Sequence, residues 1–269
     1  MNDNRGFTLL EVSIVIVIVG LLIGGIVVGK NLIRSSEIKS VGEDVEKYSA
    51  AITLFKTQYT ALPGDMKNAT QFWGAVAGAV GIGSDATCDA YFDATQTPRT
   101  LTCNGNGNGR LEAPNQYWYE VWYAWQHLSN AELIQGQYSG QGKAAPGSGI
   151  NMVAIPGVNA PLSKVHSLTY AILSEGTVNN PADSQRYVGA YGNVIRIGGV
   201  TEVDDIILTP AESYEIDAKI DDGLPGTGLL RGYKPNKRPN CTTTSDPTTA
   251  TYQVTYEGIA CNLLYLINP

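Results

Sequence analysis

The sequence predicts an α+β protein in which a very long N-terminal helix carries a globular head. Residues 12–28 are almost wholly aliphatic. Residues 30–62 repeat apolar positions at three- and four-residue steps with charged residues between them, which is the pattern of an amphipathic helix. Farther along, short stretches rich in β-branched and aromatic residues alternate with turn signals, which is typical of strands.

Residues 7–29 are apolar enough to form a membrane-spanning helix. The run at 12–28 contains one Ser and three Gly, and every other residue is aliphatic. With residues 7–10 added it has roughly 22 residues, which extend roughly 33 Å as a helix and cross a hydrocarbon core of about 30 Å. Glu11 interrupts this pattern, and an acidic side chain deep in a bilayer costs on the order of 2.5–3.5 kcal/mol. We therefore expect Glu11 to be neutralised by a specific partner.

The N-terminal residues resemble a known processing signal. Residues 5–11 are Arg-Gly-Phe-Thr-Leu-Leu-Glu, and together with the aliphatic run they resemble the leader and N-terminal helix of type IV pilins and type II secretion pseudopilins. The resemblance implies that residues 1–6 are a leader peptide, that a prepilin peptidase cuts after Gly6, and that the new amino terminus at Phe7 is methylated. It also implies a pilin-like head, residues 63–269, with an antiparallel β-sheet.

Cleavage at this position would give Glu11 a partner. The new α-amine would lie about one helical turn before Glu11 and would be largely cationic at neutral pH. In a filament the amine of one subunit could pair with Glu11 of its neighbour, and each group alone would be costly in an apolar medium. The alternative is an ordinary signal anchor with a Glu at its margin. A cleavable secretory peptide is disfavoured because the apolar region continues as a helix and does not end at a small-residue cleavage site.

The four cysteines indicate an oxidising compartment. Four Cys allow three pairings, but the spacing favours Cys88–Cys103 and Cys241–Cys261. Each pair closes a loop of about 15–20 residues and stabilises the fold by roughly 3 kcal/mol in a chain-entropy treatment. Neither pair has the spacing of a zinc or redox site. Such disulfides favour the periplasm or the cell exterior.

The charges flanking the span indicate the opposite orientation. Lys30, Arg34 and Lys39 follow the span and only Arg5 precedes it, which by the positive-inside rule would place the head in the cytoplasm. We give more weight to the cysteines and to the family resemblance. The expected location is therefore the inner membrane as a single-pass protein, followed by a periplasmic or cell-surface filament.

Turn and cap residues predict where the helices begin and end. Pro63 and Gly64 end the long helix, and Asp65 is a candidate N-cap for a short helix at 66–73. A tryptophan-rich helix is expected at 115–135, with Gly136 after it.

The second half of the chain is predicted to contain one helix among several strands. Thr209 as N-cap and Pro210 at the first position predict a helix that runs to Ile220. Strands are expected at residues 166–173, 186–191, 193–198 and 253–257.

An asparagine-rich segment resembles a calcium-binding loop. Asn104, Asn106 and Asn108 alternate with Gly, and Glu112 follows, as oxygen ligands do in a calcium loop. Three carboxylates of that pattern are replaced by Asn, and the twelfth position is Asn115 and not Glu, so any binding should be weak. The alternative is an Asn-Gly turn. Calcium would be structural here, and no cofactor is required.

Asp221 and Asp222 are a second candidate cation site. They follow the helix that ends at Ile220, where the helix dipole disfavours carboxylates. A local counter-charge is therefore expected, either Lys219 or a metal ion.

The net charge disfavours nucleic acid as a partner. The formal net charge is −7, which gives no general attraction to phosphate. The basic residues Arg231, Lys234, Lys237 and Arg238 are expected to form a solvated loop.

The sequence contains no catalytic motif. The chain has two His residues, His127 and His166, and no nucleophile elbow, metalloprotease, P-loop or dinucleotide fingerprint. His127 is expected to be a core or boundary residue.

The leading hypothesis is a structural subunit of a type IV pilus or a type II secretion pseudopilus. Its partners would be other filament subunits, the prepilin peptidase, an inner-membrane assembly platform and the membrane itself. One alternative is a membrane-anchored adhesin that binds a ligand through loops at 137–149 and 234–247. The other is a minor pilin of a DNA-uptake system.

Overall fold

The computed structural model describes residues 9–76, 98–112, 119–142, 153–183, 185–200 and 204–267. The described chain forms four helices and four strands, in an α+β arrangement that confirms the predicted fold class. In chain order they are α1 (Leu9–Tyr59), α2 (Ala69–Trp73), α3 (Tyr119–Asn130), β1 (Leu168–Val178), β2 (Gly189–Gly199), α4 (Pro210–Ile220), β3 (Leu230–Arg231) and β4 (Leu263–Ile267).

Helix α1 is a continuous rod of 51 residues. In its first half, the large apolar side chains from Leu9 to Ile33 are between 46% and 90% exposed. Its buried residues begin at Ile38 and continue to Phe55. The rod ends at Tyr59, and Thr60 follows with a positive φ of 53°. The head therefore encloses only the second half of α1, and the apolar first half projects from it.

The head contains one antiparallel sheet with the strand order β1-β2-β4-β3. Arg196 of β2 lies opposite Ala171 of β1 and Leu264 of β4. One sheet face packs on α1, where the rings of Tyr48 and Tyr170 meet edge to face with centroids 5.3 Å apart. The core therefore lies between the second half of α1 and the sheet.

Two of the predicted strands form one continuous strand. Segments 186–191 and 193–198 were expected to be separate, but β2 runs through both. Gly192 adopts a positive φ of 60° and pairs with Gly176 at an irregularity in the ladder. The glycine therefore produces a bulge in the strand and does not end it.

The other strand predictions were partly wrong. The strand predicted at 166–173 is β1, which begins at Leu168 and extends to Val178. Residues 253–257 form no strand, and Tyr252 makes only an isolated bridge with Thr242. The sequence pattern did not predict β3 and β4.

Helix α3 packs its tryptophans into the core. Trp122 and Trp125 are fully buried, and the ring of Trp125 lies 5.0 Å from that of Tyr48. The helix was predicted at 115–135 with Gly136 as its terminator, but it ends at Asn130. Glu132 adopts a left-handed conformation with φ of 59°. The N–H of Glu132 then bonds to the carbonyl of Ser129, and that of Leu133 bonds to Leu128, which is a Schellman ending.

Helix α4 begins as predicted and docks on α1. The hydroxyl of Thr209 accepts the N–H of Glu212, and the Glu212 side chain accepts the N–H of Thr209, which completes a capping box. Glu212 also pairs with Arg34 of α1 at 2.6 Å. At the other end of α4, Ile220 comes so close that a Cβ on Gly42 would lie 3.1 Å from it.

The predicted disulfide between Cys241 and Cys261 is confirmed, with Cα atoms 5.1 Å apart. Both half-cystines are buried. Cys88 of the other predicted pair lies outside the described residues.

Candidate functional site

The first candidate site is the projecting segment of α1, residues 9–33. Among the described residues, α1 is the one helix long and apolar enough to cross a membrane. None of its most apolar window is buried by the head. Glu11 lies in the first turn of the helix, where the positive end of the helix dipole favours a carboxylate. Gly6 and Phe7, the residues predicted to flank the cleavage site, lie outside the described part of the chain.

The glycines of the projecting segment leave its surface open. At Gly20, Gly24, Gly25 and Gly29, a Cβ would meet no heavy atom within 4 Å. Small residues on an apolar helix allow another helix to approach closely. The segment therefore has the composition and exposure of a helix that packs against lipid or against other helices.

Asp65 does not cap a helix as predicted. Helix α2 starts at Ala69 with Asn68 at the N-cap position. The carboxylate of Asp65 instead accepts the backbone N–H groups of Gly107, Asn108 and Gly109 at 2.5, 3.1 and 2.8 Å. The side chain thus ties the junction after α1 to the Asn-Gly loop, residues 104–112.

Glu120 holds the same loop from the other side. One carboxylate oxygen accepts the N–H of Asn106 at 3.0 Å, and the other accepts the N–H of Glu112 at 2.9 Å. Glu120 is completely buried. Burial, with a smaller contribution from the charge of Asp65, raises the pKa of Glu120 to about 7, although the two N–H donors partly oppose the shift.

The Asn-Gly loop differs in geometry from a calcium loop. Its backbone N–H groups converge on the carboxylates of Asp65 and Glu120. The side-chain oxygens of Asn104, Asn106 and Asn108 each accept a backbone N–H. Glu112 accepts the side-chain amide of Asn108 at 2.9 Å. Calcium at this loop stays a prediction, and the ion would have to compete with these bonds.

The second predicted cation site contains a third acid. Carboxylate oxygens of Asp217, Asp221 and Asp222 all lie within 4.8 Å of one another. Asp221 accepts the N–H groups of Leu229 and Leu230, and Asp222 accepts an N–H and a hydroxyl from the same turn. Lys219 is not the counter-charge we expected, because its amine contacts Glu43 of α1 at 3.2 Å. Backbone donors compensate these acids, and a cation here stays a prediction.

Asp217 is the buried member of this cluster. Its carboxylate accepts the hydroxyl of Tyr252 at 2.8 Å and the N–H of Gly223 at 3.0 Å. Burial, with smaller contributions from the charges of Asp222 and Asp221, raises the pKa of Asp217 to about 7, although the two hydrogen bonds oppose the shift. Asp217 therefore connects α4 to the turn after it and to the C-terminal part of the head.

The basic stretch near residue 234 is not the solvated loop that we expected. Lys234 is only 2% exposed, and its amine donates to two backbone carbonyls. Lys237 and Arg238 both pair with Asp204, at 2.9 and 3.1 Å. The guanidinium of Arg231 lies over a tyrosine ring, 5.0 Å from its centroid. These cations cross-link the head and do not form a free basic surface.

His127, which was expected to be a core or a boundary residue, is a core residue. Its Nδ1 accepts the N–H of Gly64 at 2.9 Å, which assigns the ring proton to Nε2, and Nε2 lies 2.9 Å from the hydroxyl of Thr102. Burial lowers the pKa of His127 to about 3. The neutral ring therefore links α3 to the junction after α1 and to residues before the Asn-Gly loop.

The described chain thus combines a membrane-length helix, with one acid in its first turn, and an α+β head. Residues 1–27 match the family model described as the prokaryotic N-terminal methylation motif. The chain therefore carries the prepilin-type signal of type IV pilins and pseudopilins. This match covers 27 of 269 residues, so it identifies the signal and leaves the role of the head open. No curated protein and no solved structure gives a significant match to the chain.

Proposed function

We propose that this chain is a structural subunit of a type IV pilus or a type II secretion pseudopilus. It is made as a prepilin, cleaved between Gly6 and Phe7 and methylated at the new amino terminus by prepilin peptidase. The mature subunit then leaves the inner membrane and assembles by helix packing into a periplasmic or cell-surface filament.

The observation that carries this proposal is the exposure of the projecting segment next to a prepilin-type signal. Residues 9–33 present apolar side chains on all sides, and the head covers none of the most apolar window. Burial of apolar surface is worth roughly 25 cal/mol per Å², so this segment is stable only in lipid or among equivalent helices. A filament core supplies equivalent helices to pack against after the subunit leaves the lipid.

Glu11 gives the packing a defined offset in this proposal. A carboxylate inside a bundle of apolar helices needs a partner, and the α-amine of Phe7 in a neighbouring subunit is the group that cleavage creates. Removal of one partner from such a pair is strongly destabilising because the other charge is left buried and uncompensated.

Substitution of Glu11 tests the assembly step. Glu11→Val should leave the fold of the head and the cleavage intact, because the head does not bury this part of α1, but it should abolish filament incorporation. The measurements are the mass of the purified chain, which reports cleavage and methylation, and its amount in sheared filaments. Glu46→Val, on the exposed surface of α1 beside the head, is the matched control and should assemble normally.

Two results would contradict the proposal. The first is a purified native chain that still begins at Met1. The second is Glu11→Val incorporation at the wild-type level, which is the behaviour of a membrane-anchored adhesin that acts alone.

A further inference from the structure

One feature that the proposed function does not use is an open groove at the end of the head remote from the projecting segment. It has a volume of about 590 Å³, within the range of about 300–1,000 Å³ that is typical of small-ligand sites. It lies where α1, the junction after it, the Asn-Gly loop, β2 and β4 converge. We call it the distal groove, and Lys56, Tyr59, Thr60, Lys67, Asn68 and Gly109 lie along it.

The distal groove carries two lysines, and the charge of Lys67 also acts on the Asp65 carboxylate. Neither Lys56 nor Lys67 forms an ion pair with a described residue, and both are exposed. The side chain of Lys67 lies across Gly107, where a Cβ would come within 2.2 Å of its Cε. The one carboxylate in the groove, that of Asp65, is 3% exposed and already accepts three N–H groups. In a chain of net charge −7, the groove therefore favours an anionic ligand.

The remaining lining is polar and presents bare backbone. The side chains of Thr60 and Asn68 are exposed and make no hydrogen bond to a described residue. At Gly109 and Gly192 a Cβ would meet nothing within 4 Å, so a ligand can approach the main chain closely. The ring of Tyr59 is fixed by Phe55 and Trp73, with centroids 4.5 and 5.5 Å away, and it supplies a flat apolar surface.

This lining favours neither a peptide nor inorganic phosphate. The strands that border the groove, β2 and β4, pair with each other from Asn193 to Ile197 of β2, so only the short β2 segment before Asn193 is left for a peptide strand to pair with. Phosphate is bound by lysines together with arginine forks or free backbone N–H groups. The described lining of the groove has no arginine, and the N–H groups of Gly107, Asn108 and Gly109 already bind Asp65, so the two lysines would have to hold a phosphate without them.

We propose that the distal groove binds a carboxylated saccharide, such as an oligomer of a uronic acid. Lys56 and Lys67 bind the carboxylate groups, Thr60 and Asn68 exchange hydrogen bonds with the hydroxyls, and Tyr59 contacts the apolar face of a sugar ring. This inference is independent of filament assembly, because the groove and the projecting segment lie at opposite ends of α1.

Titration of the full-length chain in detergent micelles with digalacturonate tests this inference. Binding is measured by calorimetry, with galactobiose as the neutral analogue and tetraglutamate and inorganic phosphate as competing anions. Lys56→Gln and Lys67→Gln should each raise the Kd about two- to fivefold, which is the range for the loss of one exposed charge pair. The double variant should raise it roughly tenfold, since the effects of separate sites add. Lys39→Gln, an exposed lysine of α1 outside the groove, is the matched control.

Saturable binding of digalacturonate that is weaker for galactobiose and for both groove variants would support the proposal. It is overturned if digalacturonate does not bind at millimolar concentration, or if the double variant binds as tightly as the wild type. Equal affinity for tetraglutamate or phosphate would also overturn it. A negative result leaves the filament proposal intact, because the Glu11 variant tests that proposal separately.

Discussion

At the residue scale, buried acids hold the loops of the head in place. Asp65 and Glu120 together accept five backbone N–H groups of the Asn-Gly loop. Asp217 accepts the backbone N–H of Gly223 and the side-chain hydroxyl of Tyr252. Loop N–H groups have no partner in a helix or sheet, and a carboxylate that accepts several of them supplies the missing hydrogen bonds. The carboxylate loses its own hydration when it does so. The loops are therefore held in place by acidic side chains whose charged form is disfavoured by burial.

This arrangement predicts a dependence of stability on pH. The pKa of Glu120 is raised to about 7 in the folded head, against about 4.3 in an unfolded chain. Between these values the folded state binds more protons than the unfolded state, so the Glu120 contribution to the free energy of unfolding falls as pH rises. When the pH is raised from 5 to 8, the free energy of unfolding of Glu120→Gln should therefore rise relative to that of the wild type by on the order of 1–3 kcal/mol.

Urea unfolding of both proteins at the two pH values measures this difference. Glu46→Gln changes an exposed acid of α1 and should keep the wild-type profile. A stability difference between Glu120→Gln and wild type that does not change with pH would contradict the prediction. Asp217 acts with the same sign, so the variant flattens the profile only in part.

The residue-scale contacts explain why some sites could be predicted and others could not. The capping box of Thr209 and Glu212 is complete within four residues, so the sequence alone predicts it. Asp65 and Glu120 find their donors in a loop 42 and 14 residues away in the chain. Tertiary packing determines such partners, so a local sequence pattern cannot predict them.

At the element scale, the packing of α4 on α1 fixes the head to the rod. Ser35 and Glu43 of α1 contact Glu215 and Lys219 of α4. Beside the second contact the helices approach closely at Gly42, which is buried and faces Ile220. A glycine in the middle of a helix weakens it by about 1 kcal/mol relative to Ala, so its use here indicates that the approach requires it.

We therefore expect Gly42→Leu to destabilise the head by about 1–3 kcal/mol, the range for overpacking a close contact. The side chain would collide with Ile220 and push α4 away from α1. The thermal midpoint of the detergent-solubilised chain measures the loss. Gly29→Leu is the matched control, since a Cβ there meets nothing within 4 Å, and it should be neutral or stabilising. Equal midpoints for the two variants would refute the prediction.

The boundaries of elements were harder to predict than their existence. Helix α3 ends at a left-handed Glu132 although Gly136 is the better terminator by composition, because the carbonyls of Leu128 and Ser129 find donors there. Strand β4 is a short apolar run, which periodicity alone cannot assign to helix or strand. Its assignment comes from its pairing with β2 and β3.

At the scale of the whole molecule, the Cys241–Cys261 disulfide connects the last strand to the rest of the head. Cys261 exchanges two backbone hydrogen bonds with Leu208, at 2.9 and 3.1 Å, just before α4 begins. The cross-link spans 20 residues of sequence. It therefore stabilises the entry to α4 and the approach to β4 together.

Replacement of both cysteines should lower the free energy of unfolding by about 3 kcal/mol, the chain-entropy value for a loop of this length. The Cys241→Ala, Cys261→Ala double variant and the wild type are compared in urea under oxidising conditions, which leave the other predicted disulfide, Cys88–Cys103, in place. An unchanged midpoint in the double variant would show that the bond does not constrain the unfolded chain.

The contact between Arg34 and Glu212 lies only a few residues beyond Val28, where the apolar run ends. Each residue of an α-helix advances the chain by about 1.5 Å and turns it by about 100°. The insertion of a single residue between these positions would hardly change the height of the head above the bilayer, but it would swing the head through more than a quarter of a circle around the rod. The number of residues between the apolar run and the Arg34–Glu212 contact thus sets the direction, around the axis of α1, in which each surface of the head faces.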